Sequence, residues 1–211
     1  MDTGLPPEKV HVVPPGINIM PDEANYHLLE KNKKETTILF VGRDFFRKGG
    51  DIVIEAFKIL KEDYSSNLKL IIIGPKYWPL SSGIPDGVEF FNYTCMEIIR
   101  KYYMMADLFC MPSRFEAFGI VFAEALNFGV PCIGMKLCAM PEIIKPGING
   151  YLIDNENPKN LADLMVKVLE DSDMKFKTKK LSNDYRDYYS WNRVASDMVK
   201  IMKHDQTKIN C

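Results

Sequence analysis

The feature that most constrains the fold is a regular alternation of short, mostly apolar runs with longer segments whose apolar residues recur at helical spacing. A strand that is apolar throughout is buried on both faces, and such strands, alternating with helices, form a parallel sheet covered on both sides. The sequence therefore predicts an α/β fold with a doubly wound parallel sheet. The predicted strands are residues 38–41, 68–73, 88–91, 108–111, 130–134 and 149–153, and the predicted helices cover about 52–60, 96–105, 120–128 (capped by Gly129) and most of the chain after 153.

The length and the proline distribution indicate one main domain with flanking segments. At 211 residues the chain is long enough for one sizeable core and short for two full domains. Five prolines among the first 21 residues oppose a continuous helix or central strand, so residues 1–35 are predicted to be a linker into the domain. Residues 36–190 are the predicted domain, and residues 191–211 a C-terminal helix and tail. The apolar stripe of that helix either packs against the helices of the sheet or docks onto a second domain, and it consists of Trp191, Val194, Met198 and Ile201.

Charge and cysteine content argue against several classes of protein. Lys and Arg number 27 against 28 Asp and Glu, which removes a broad electrostatic basis for binding nucleic acid or an anionic membrane. The basic stretches at 31–34 and 175–180 are interpreted as a solvated linker and a solvated helix face, although peripheral contact with the cytosolic face of a membrane is left open. The five cysteines include no Cys-x-x-Cys pair, and no signal peptide or membrane span is present, so we expect a reduced, cytoplasmic protein. Cys95, Cys110 and Cys132 are predicted to be buried.

The loop after the first predicted strand has the composition of a diphosphate site. In an open parallel sheet, ligands bind outside the carboxyl ends of the strands, where helix N-termini attract phosphate. Gly42 follows the strand directly, and Arg43, Arg47 and Lys48 supply three cations before two glycines and a helix. We expect close backbone approach at Gly42, with Arg43 and Lys48 each reaching an oxygen. The spacings of triphosphate and dinucleotide loops are absent, and an ordinary polar turn is the alternative.

The loop after the fourth predicted strand carries two glutamates with seven residues between them. Glu116 lies just past the strand, Gly119 lets the backbone turn into the next helix, and Glu124 lies one to two turns into that helix among apolar neighbours. A carboxylate in apolar surroundings is costly to bury unless it accepts hydrogen bonds. Sugar or ribose hydroxyl groups are natural donors, and two carboxylates on a solvated helix face are the alternative.

These motifs, in this order, resemble glycosyltransferase family 4, the retaining group 1 enzymes. The resemblance covers about residues 10–171 and includes both loops and the glutamate pair. The further motifs that carry it are Gly74-Pro75, Ala106-Asp107-Leu108, Pro112-Ser113, residues 127–133, residues 141–144 and residues 147–152. The family has the GT-B architecture, in which two Rossmann-like domains face each other across a cleft, and this chain resembles the C-terminal, donor-binding domain.

The resemblance implies a role for each matching polar residue. Arg43 and Lys48 are expected to hold the donor diphosphate and to stabilise the charge on the departing nucleotide. Glu116 is expected beside the transferred sugar, and Glu124 is expected to accept hydrogen bonds from the ribose. Tyr93 lies in the loop where family members place the base, and it is either a base contact or a packing residue.

The resemblance also implies backbone contacts and independence of metal. The N–H groups of Phe118, Gly119 and Ile120 are expected to meet the sugar or a phosphate. Family members typically need no metal, because fixed cations replace one, and the sequence has no Asp-x-Asp motif and no His cluster. The expected donor substrate is a nucleotide-diphosphate sugar, with no further cofactor. His11 and His27 are predicted to be surface residues.

Two departures from the family pattern bear on function. Residues 137–140 stand where many relatives carry glycines, so the shape of the loop near the sugar is open. Residues 10–18 resemble the segment that leads out of the family's N-terminal, acceptor-binding domain, and only nine residues precede them. The resemblance therefore implies the donor half of a hexosyltransferase-type enzyme, weak or inactive without its missing N-terminal domain or a partner chain.

The two alternatives are a nucleotide-sugar-binding module that is active only with a partner chain and a GT-B nucleotide-sugar epimerase. The glutamate pair, together with the cations of the first loop, favours a transferase over an epimerase. The same donor-site residues are expected in a transferase and in a binding module.

Overall fold

The computed structural model describes residues 4, 6, 9–21 and 35–209, with side chains described as far as residue 203. The predictions for residues 31–34 and for His27 lie outside these residues. The elements in chain order are β1 Thr36–Val41, α1 Gly50–Asp63, β2 Leu68–Ile73, β3 Val88–Phe91, α2 Met96–Met105, β4 Leu108–Met111, α3 Ile120–Asn127, β5 Cys132–Met135, α4 Met140–Ile143, β6 Gly150–Ile153, α5 Pro158–Glu170, α6 Ser172–Lys180, α7 Ser182–Tyr188 and α8 Trp191–Ile209.

The strands form one six-stranded sheet in the order β3-β2-β1-β4-β5-β6, and every neighbouring pair is parallel. The predicted doubly wound α/β fold is confirmed. The strand order reverses between β1 and β4, and this reversal opens a crevice at the carboxyl ends of those two strands where ligands of such sheets bind. The loops that follow β1 and β4 are therefore the expected location of a ligand site.

Helices cover both faces of the sheet. Right-handed crossovers place α1 and α3 on opposite faces, because β2 lies on one side of β1 and β5 lies on the other side of β4. On one face α1 packs against α5, and on the other α3 packs against α7. The core between these layers is aromatic as well as aliphatic, and its largest fully buried side chains include Tyr103, Phe40, Phe57, Phe109 and Phe122.

The predicted bounds of β2, β3, β4 and α2 coincide with the observed ones, whereas β5 begins two residues later than predicted. Gly129 ends α3 in a left-handed conformation with φ of 74°, as predicted. The N–H of Val130 donates to the carbonyl of Ala125 at 3.0 Å, so Val130 completes the helix cap. Pro131 has no N–H to donate to the sheet. The apolar run thus begins before the strand does.

The N-terminal linker, in its described part, lies against α3 and α8. The N–H of Ile17 donates to the Tyr189 carbonyl at 2.8 Å, and the Arg193 guanidinium donates to the Pro14 carbonyl at 2.7 Å. The Trp191 indole covers Gly16 so closely that a Cβ there would lie 2.6 Å from the ring. Linker and C-terminal helix therefore pack on each other.

The C-terminal helix packs through only part of its predicted stripe. Val194 is buried, whereas Trp191 is 53% exposed and Met198 is 50% exposed. The basic stretch at 175–180 lies on α6 with most of its lysines exposed, as expected for a surface helix face. None of the helices in the described residues has the length and apolar character needed to cross a bilayer.

The structure shows the burial of three cysteines and one histidine for which the sequence made predictions. Cys110 and Cys132 are buried as predicted, and His11 is exposed as predicted. The prediction for Cys95 is wrong, since it is exposed. Cys95 is the N-cap residue of α2, in an extended conformation outside the first helical turn, and its apolar neighbours in sequence belong to the helix rather than to its own surroundings.

Candidate functional site

The loops after β1 and β4 run side by side across the crevice at the switch point of the sheet. Three of the contacts that join them, from Phe46 to Arg114, from Arg47 to Phe115 and from Lys48 to Glu116, have the same sequence separation of 68. Two loops that meet at a constant separation keep a parallel register, as their strands do. Residues far apart in the chain are thereby brought into matched positions.

Backbone and side-chain hydrogen bonds fix this register. The Arg47 carbonyl accepts from the N–H of Arg114 at 2.9 Å and from the Ser113 hydroxyl at 3.2 Å. The Phe115 carbonyl accepts from the same Ser113 hydroxyl at 2.8 Å and from the Arg47 guanidinium at 2.9 Å. Ser113 is fully buried, so these bonds are shielded from water. The pair formed by Lys48 and Glu116 follows immediately after this cross-linked stretch.

Lys48 and Glu116 form an ion pair between the Nζ atom and Oε2. Their side chains are only 13% and 14% exposed, so the pair is largely shielded from solvent and salt. Both residues were predicted from the sequence as members of one site, and the structure brings their charged groups together. A phosphate oxygen would compete with the Glu116 carboxylate for the Lys48 ammonium group.

A pocket of about 330 Å³ opens beside this pair. Four of the predicted residues line it, namely Gly42, Arg43, Lys48 and Tyr93. The Arg43 guanidinium carbon lies 4.3 Å from the centroid of the Tyr93 ring, a cation–π contact between two residues that line the pocket. The rest of the lining comes from the ends of β1 and β2, from the loop before α2, and from α2 and α3: Val41, Arg47, Ile73, Gly74, Thr94, Ile99 and Val121.

The N-terminus of α3 supplies the predicted backbone donors. Gly119 is the N-cap residue, with φ of 86° and no side-chain cap. The first N–H groups of a helix have no partner within it, and among the described residues those of Phe118, Gly119 and Ile120 donate no hydrogen bond. The Phe118 ring packs edge-on against Tyr189, with centroids 6.0 Å apart. Phe118, Gly119 and Ile120 do not line the pocket of Lys48 and Tyr93.

Glu124 lies deeper than the other predicted residues, with 4% exposure. Its carboxylate accepts from the N–H of Asn18 at 3.2 Å and from the Tyr103 hydroxyl at 3.3 Å. Burial raises the pKa of Glu124 above its ordinary value, and these hydrogen bonds oppose the rise. Glu124 is not among the pocket residues, but Val121, one helical turn earlier on the same face of α3, does line the pocket. The predicted contact with ribose stays a prediction.

Sequence reasoning did not single out Arg114, which joins three loops of the site. Its guanidinium donates to both oxygens of Asp51 at 2.8 and 2.9 Å and to both oxygens of Glu156 at 3.0 and 2.7 Å. It also donates to the Phe46 carbonyl. Hydrogen bonds to Asp51 first and Glu156 second hold the pKa of Arg114 above its ordinary value. The motif around Pro112-Ser113 flags this region, but it does not show which acidic residues Arg114 contacts.

The loop at 137–140 contains no glycine, yet one of its residues adopts the left-handed backbone conformation that glycine favours. Cys138 has φ of 51°, a left-handed conformation that costs about 1–3 kcal/mol for a residue with a Cβ. Cys138 is exposed, and Met140 after it is fully buried at the start of α4. The departure from the family's glycines therefore leaves a left-handed residue at this turn.

Gly49 is the residue whose lack of a side chain matters most for the site. Its φ is 76°, and an added Cβ would lie 2.3 Å from the Pro112 carbonyl oxygen. We expect Gly49→Ala to lower the free energy of unfolding by about 2–4 kcal/mol, because it combines a left-handed alanine with overpacking. Urea denaturation measures this change.

Gly83 provides a matched control, since its φ is 72° and an added Cβ meets nothing within 4 Å. Gly83→Ala should cost only about 1–2 kcal/mol, the conformational part of the effect. Equal losses for the two variants would contradict close packing between the loops after β1 and β4.

Among the described residues, no group of three or more His, Cys, Asp or Glu side chains is arranged to hold a metal ion. Independence of metal stays a prediction from the family resemblance.

Comparisons with known proteins agree with the fold and with the motifs. The family model for glycosyl transferases group 1 matches residues 23–187. An uncharacterised glycosyltransferase of Methanocaldococcus jannaschii is 31% identical over 94% of this chain and 55% of its own length. WaaG, a glycosyltransferase involved in lipopolysaccharide biosynthesis, matches with a TM-score of 0.74 and 26% identity over 92% of this chain and 57% of its own. Anabaena HepE in complex with UDP-glucose matches with a TM-score of 0.73 over 90% of this chain and 56% of its own, and at 17% identity that likeness shows the fold alone.

The chain thus spans about half the length of the proteins it matches, and its sheet corresponds to one Rossmann-like domain of their GT-B architecture. The family model covers most of the chain, and it includes both loops that meet at the switch point. The expected family is confirmed: the chain belongs to the group 1 glycosyltransferases.

Proposed function

We propose that the chain is the donor-binding half of a retaining hexosyltransferase that takes its sugar from a nucleotide-diphosphate sugar without a metal ion. The observation that carries this proposal is the shielded pair of Lys48 and Glu116 at the edge of a pocket that also presents Arg43 and Tyr93. A cation, a carboxylate and an aromatic ring are the groups needed for a diphosphate, a sugar and a base. That HepE has been solved with UDP-glucose supports the choice of donor class.

In the proposed reaction the bond between the anomeric carbon and the diphosphate oxygen breaks, and the diphosphate leaves with the electron pair. Lys48 and Arg43 face the negative charge that grows on the leaving group, and such fixed cations are worth most in a site from which water is excluded. The oxygen of the acceptor hydroxyl forms the new bond to the anomeric carbon on the same face of the sugar, and its proton passes to the departing diphosphate or to water. No residue of the described chain is assigned as the base that removes this proton.

Glu116 is assigned to the hydroxyl groups of the transferred sugar. When a diphosphate takes over Lys48, the Glu116 carboxylate loses its partner and is left to accept hydrogen bonds from a donor close by. The three N–H groups at the start of α3 stand two to four residues from Glu116 and, like any helix N-terminus, favour oxygen atoms with negative charge. Glu124 is assigned to the ribose, through the face of α3 that it shares with Val121.

The acceptor site is assigned to a further domain or to a partner chain. The relatives are about twice as long as this chain, and among the structural neighbours is the GtfA/B complex. A second Rossmann-like domain facing the carboxyl ends of β1 and β4 would close the crevice from the other side.

The test of this function is the binding of nucleoside diphosphates by the 211-residue chain. We expect one-to-one binding of at least one of UDP, GDP and ADP in calorimetry, with the same affinity in the presence of EDTA, because Lys48 and Arg43 take the place of a metal. A folded sample that binds none of the three contradicts the proposed donor class. Binding that disappears with EDTA contradicts the metal-independent part alone.

A further inference from the structure

The positions of Lys48 and Glu116 depend on the register between two loops that no regular sheet pairing holds. The paired strands β1 and β4 end before these loops begin, and the described strand pairs between them are Ile38 with Leu108 and Leu39 with Phe109. Lys48 lies nine residues past Leu39, at the end of a loop rich in turns. Something other than the sheet must therefore keep the two loops from sliding or separating.

The hydrogen bonds of Ser113 and Arg47 described above do part of this, and the Arg114 side chain adds contacts to further segments of the fold. Its guanidinium binds the Phe46 carbonyl in the loop after β1, Asp51 in the first turn of α1 and Glu156 in the loop after β6. Its own backbone lies in the loop after β4, two residues before Glu116. Four segments of the fold thus converge on one side chain that is 30% exposed.

We propose that Arg114 is a positioning residue that holds Lys48 opposite Glu116, and, given the proposed function, thereby sets the site for the donor diphosphate. Arg114 touches neither Lys48 nor the pocket, and it acts through Phe46 and through its own backbone. The Phe46 contact stands at the same separation of 68 as the pair formed by Lys48 and Glu116, so it fixes that register two residues before the charged groups.

The geometry requires an arginine. Five acceptor oxygens surround the side chain, two from Asp51, two from Glu156 and one from Phe46. A guanidinium group presents five N–H donors in a rigid plane, so it can bind two carboxylates through both oxygens of each. A lysine at this position keeps the charge but has a single compact ammonium group, which cannot reach both carboxylates and the carbonyl in this arrangement.

The first measurement needs no nucleotide. In the unliganded chain, 1H–15N spectra of the lysine ammonium groups should contain a signal from Lys48 that exchanges slowly with water, because that group is ion-paired and mostly buried. Its absence in Lys48→Met assigns the signal. We expect Arg114→Gln to abolish this slow exchange, and Arg114→Lys to restore it only in part.

Arg193→Gln is the matched control. Arg193 is also a largely buried arginine, 18% exposed, with an acidic partner, Asp197, and two backbone carbonyls, those of Pro14 and Tyr188. The Arg193→Gln variant should lower the free energy of unfolding by an amount similar to that of Arg114→Gln and leave the Lys48 signal unchanged. A slowly exchanging Lys48 signal that survives in Arg114→Gln overturns the proposal, as does equal loss in Arg193→Gln. Should Arg114→Gln fail to fold, Asp51→Asn and Glu156→Gln carry the same test, since each removes one of the two carboxylates that pair with Arg114.

The second measurement asks whether the register serves the diphosphate. We expect Arg114→Gln to weaken binding of the nucleoside diphosphate used above on the order of tenfold, less than the hundredfold that a displacement of about 1 Å between reacting groups can cost. In the Lys48→Ala background the same change should have no further effect, because the group that Arg114 positions is gone. Additive losses would show a general effect on stability and overturn the proposal. If the wild-type chain binds no nucleoside diphosphate, the proposed function fails while the ammonium spectra still decide the role of Arg114.

Discussion

Lys48→Ala is expected to weaken the binding of a nucleoside diphosphate by roughly ten- to hundredfold while leaving the fold nearly intact. A hydrogen bond to a charged group contributes about 1.5–3 kcal/mol, which converts to that range. The Lys48 ammonium is fixed and 13% exposed, so little side-chain entropy remains to be lost when an oxygen of the ligand replaces Glu116. Arg43→Ala should act in the same direction, since Arg43 lines the same pocket. Calorimetry measures both losses.

The partner carboxylate gives the opposite expectation. Glu116→Gln should tighten the binding of a nucleoside diphosphate by about tenfold, because it removes the competitor for Lys48 and a negative charge close to the phosphates. The same variant should lower sugar transfer in any complete enzyme, because the sugar loses its charged acceptor.

Lys58→Ala serves as the surface control for this pair of variants. Lys58 also pairs with a glutamate, Glu55, but both side chains are more than 40% exposed and lie on α1 away from the pocket. Exposed pairs contribute about 0–1 kcal/mol, so no change in affinity is expected. Unchanged binding in Lys48→Ala would show that the loop after β1 is an ordinary polar turn. Weaker binding in Glu116→Gln would show that the carboxylate assists the diphosphate instead of competing with it.

The fold was predictable because each of its buried strands leaves a complete local signal. The central parallel strand β4 is covered on both faces, so its residues are apolar throughout and the run ends where the strand ends. The signal failed at β5, where Val130 and Pro131 are apolar and lie outside the strand for different reasons. Val130 closes the cap of α3, and Pro131 lacks the N–H that a ladder needs. Apolar patterning predicts burial, and only hydrogen bonding decides where a buried segment becomes a strand.

The residues of the candidate site could be proposed from the sequence, but the contacts that they make with one another could not. Lys48 and Glu116 drew attention because they lie in loops at strand ends, where ligands of a parallel sheet bind, and the family resemblance assigned them to one site. The pairing between them spans 68 positions, and the contact between Glu124 and Asn18 spans 106, so neither leaves a pattern in any short window of sequence. Glu124 illustrates the consequence, since sequence reasoning supplied ligand hydroxyls as its donors and the structure supplies the N-terminal linker.

Arg114 escaped notice for a related reason. An arginine beside a ligand loop is most simply interpreted as one more surface charge, and neither Asp51 nor Glu156 stands close to it in sequence. Only the folded chain shows that two acidic residues, 63 and 42 positions away, converge on one guanidinium group.

Sugar transfer by a polypeptide of these 211 residues alone is expected to be slower, by several orders of magnitude, than transfer by the same chain together with an opposing acceptor domain. Fixing the donor and the acceptor hydroxyl in one geometry can supply about 7–11 kcal/mol of the barrier. In the proposed function the chain supplies one wall of the crevice, with the cations assigned to the leaving diphosphate, and water on the open side would screen those charges.

Exposed apolar side chains among the described residues fit the expectation that a second domain faces the crevice. Three aromatic side chains around the two loops and the pocket are more than half exposed, namely Phe46, Tyr93 and Phe115. On the C-terminal helix, Trp191 and Met202 are also more than half exposed, and a second domain could cover them. These groups cost free energy in water, and a facing domain would remove that cost while enclosing the donor.

The assay compares one preparation in two states. The purified 211-residue chain is incubated with the nucleotide sugars whose diphosphates it binds and with candidate acceptors, and the measurement is repeated after an N-terminal acceptor domain from a group 1 relative is added or fused. Slow hydrolysis of the donor by the isolated chain is compatible with the expectation, because water can replace the acceptor hydroxyl. Transfer by the isolated chain at about 1 per second or faster, the ordinary range for enzymes, would show that it carries its own acceptor site. The proposal of a donor half would then be wrong, although the assignment of Lys48 and Glu116 to the donor would stand on the binding measurements.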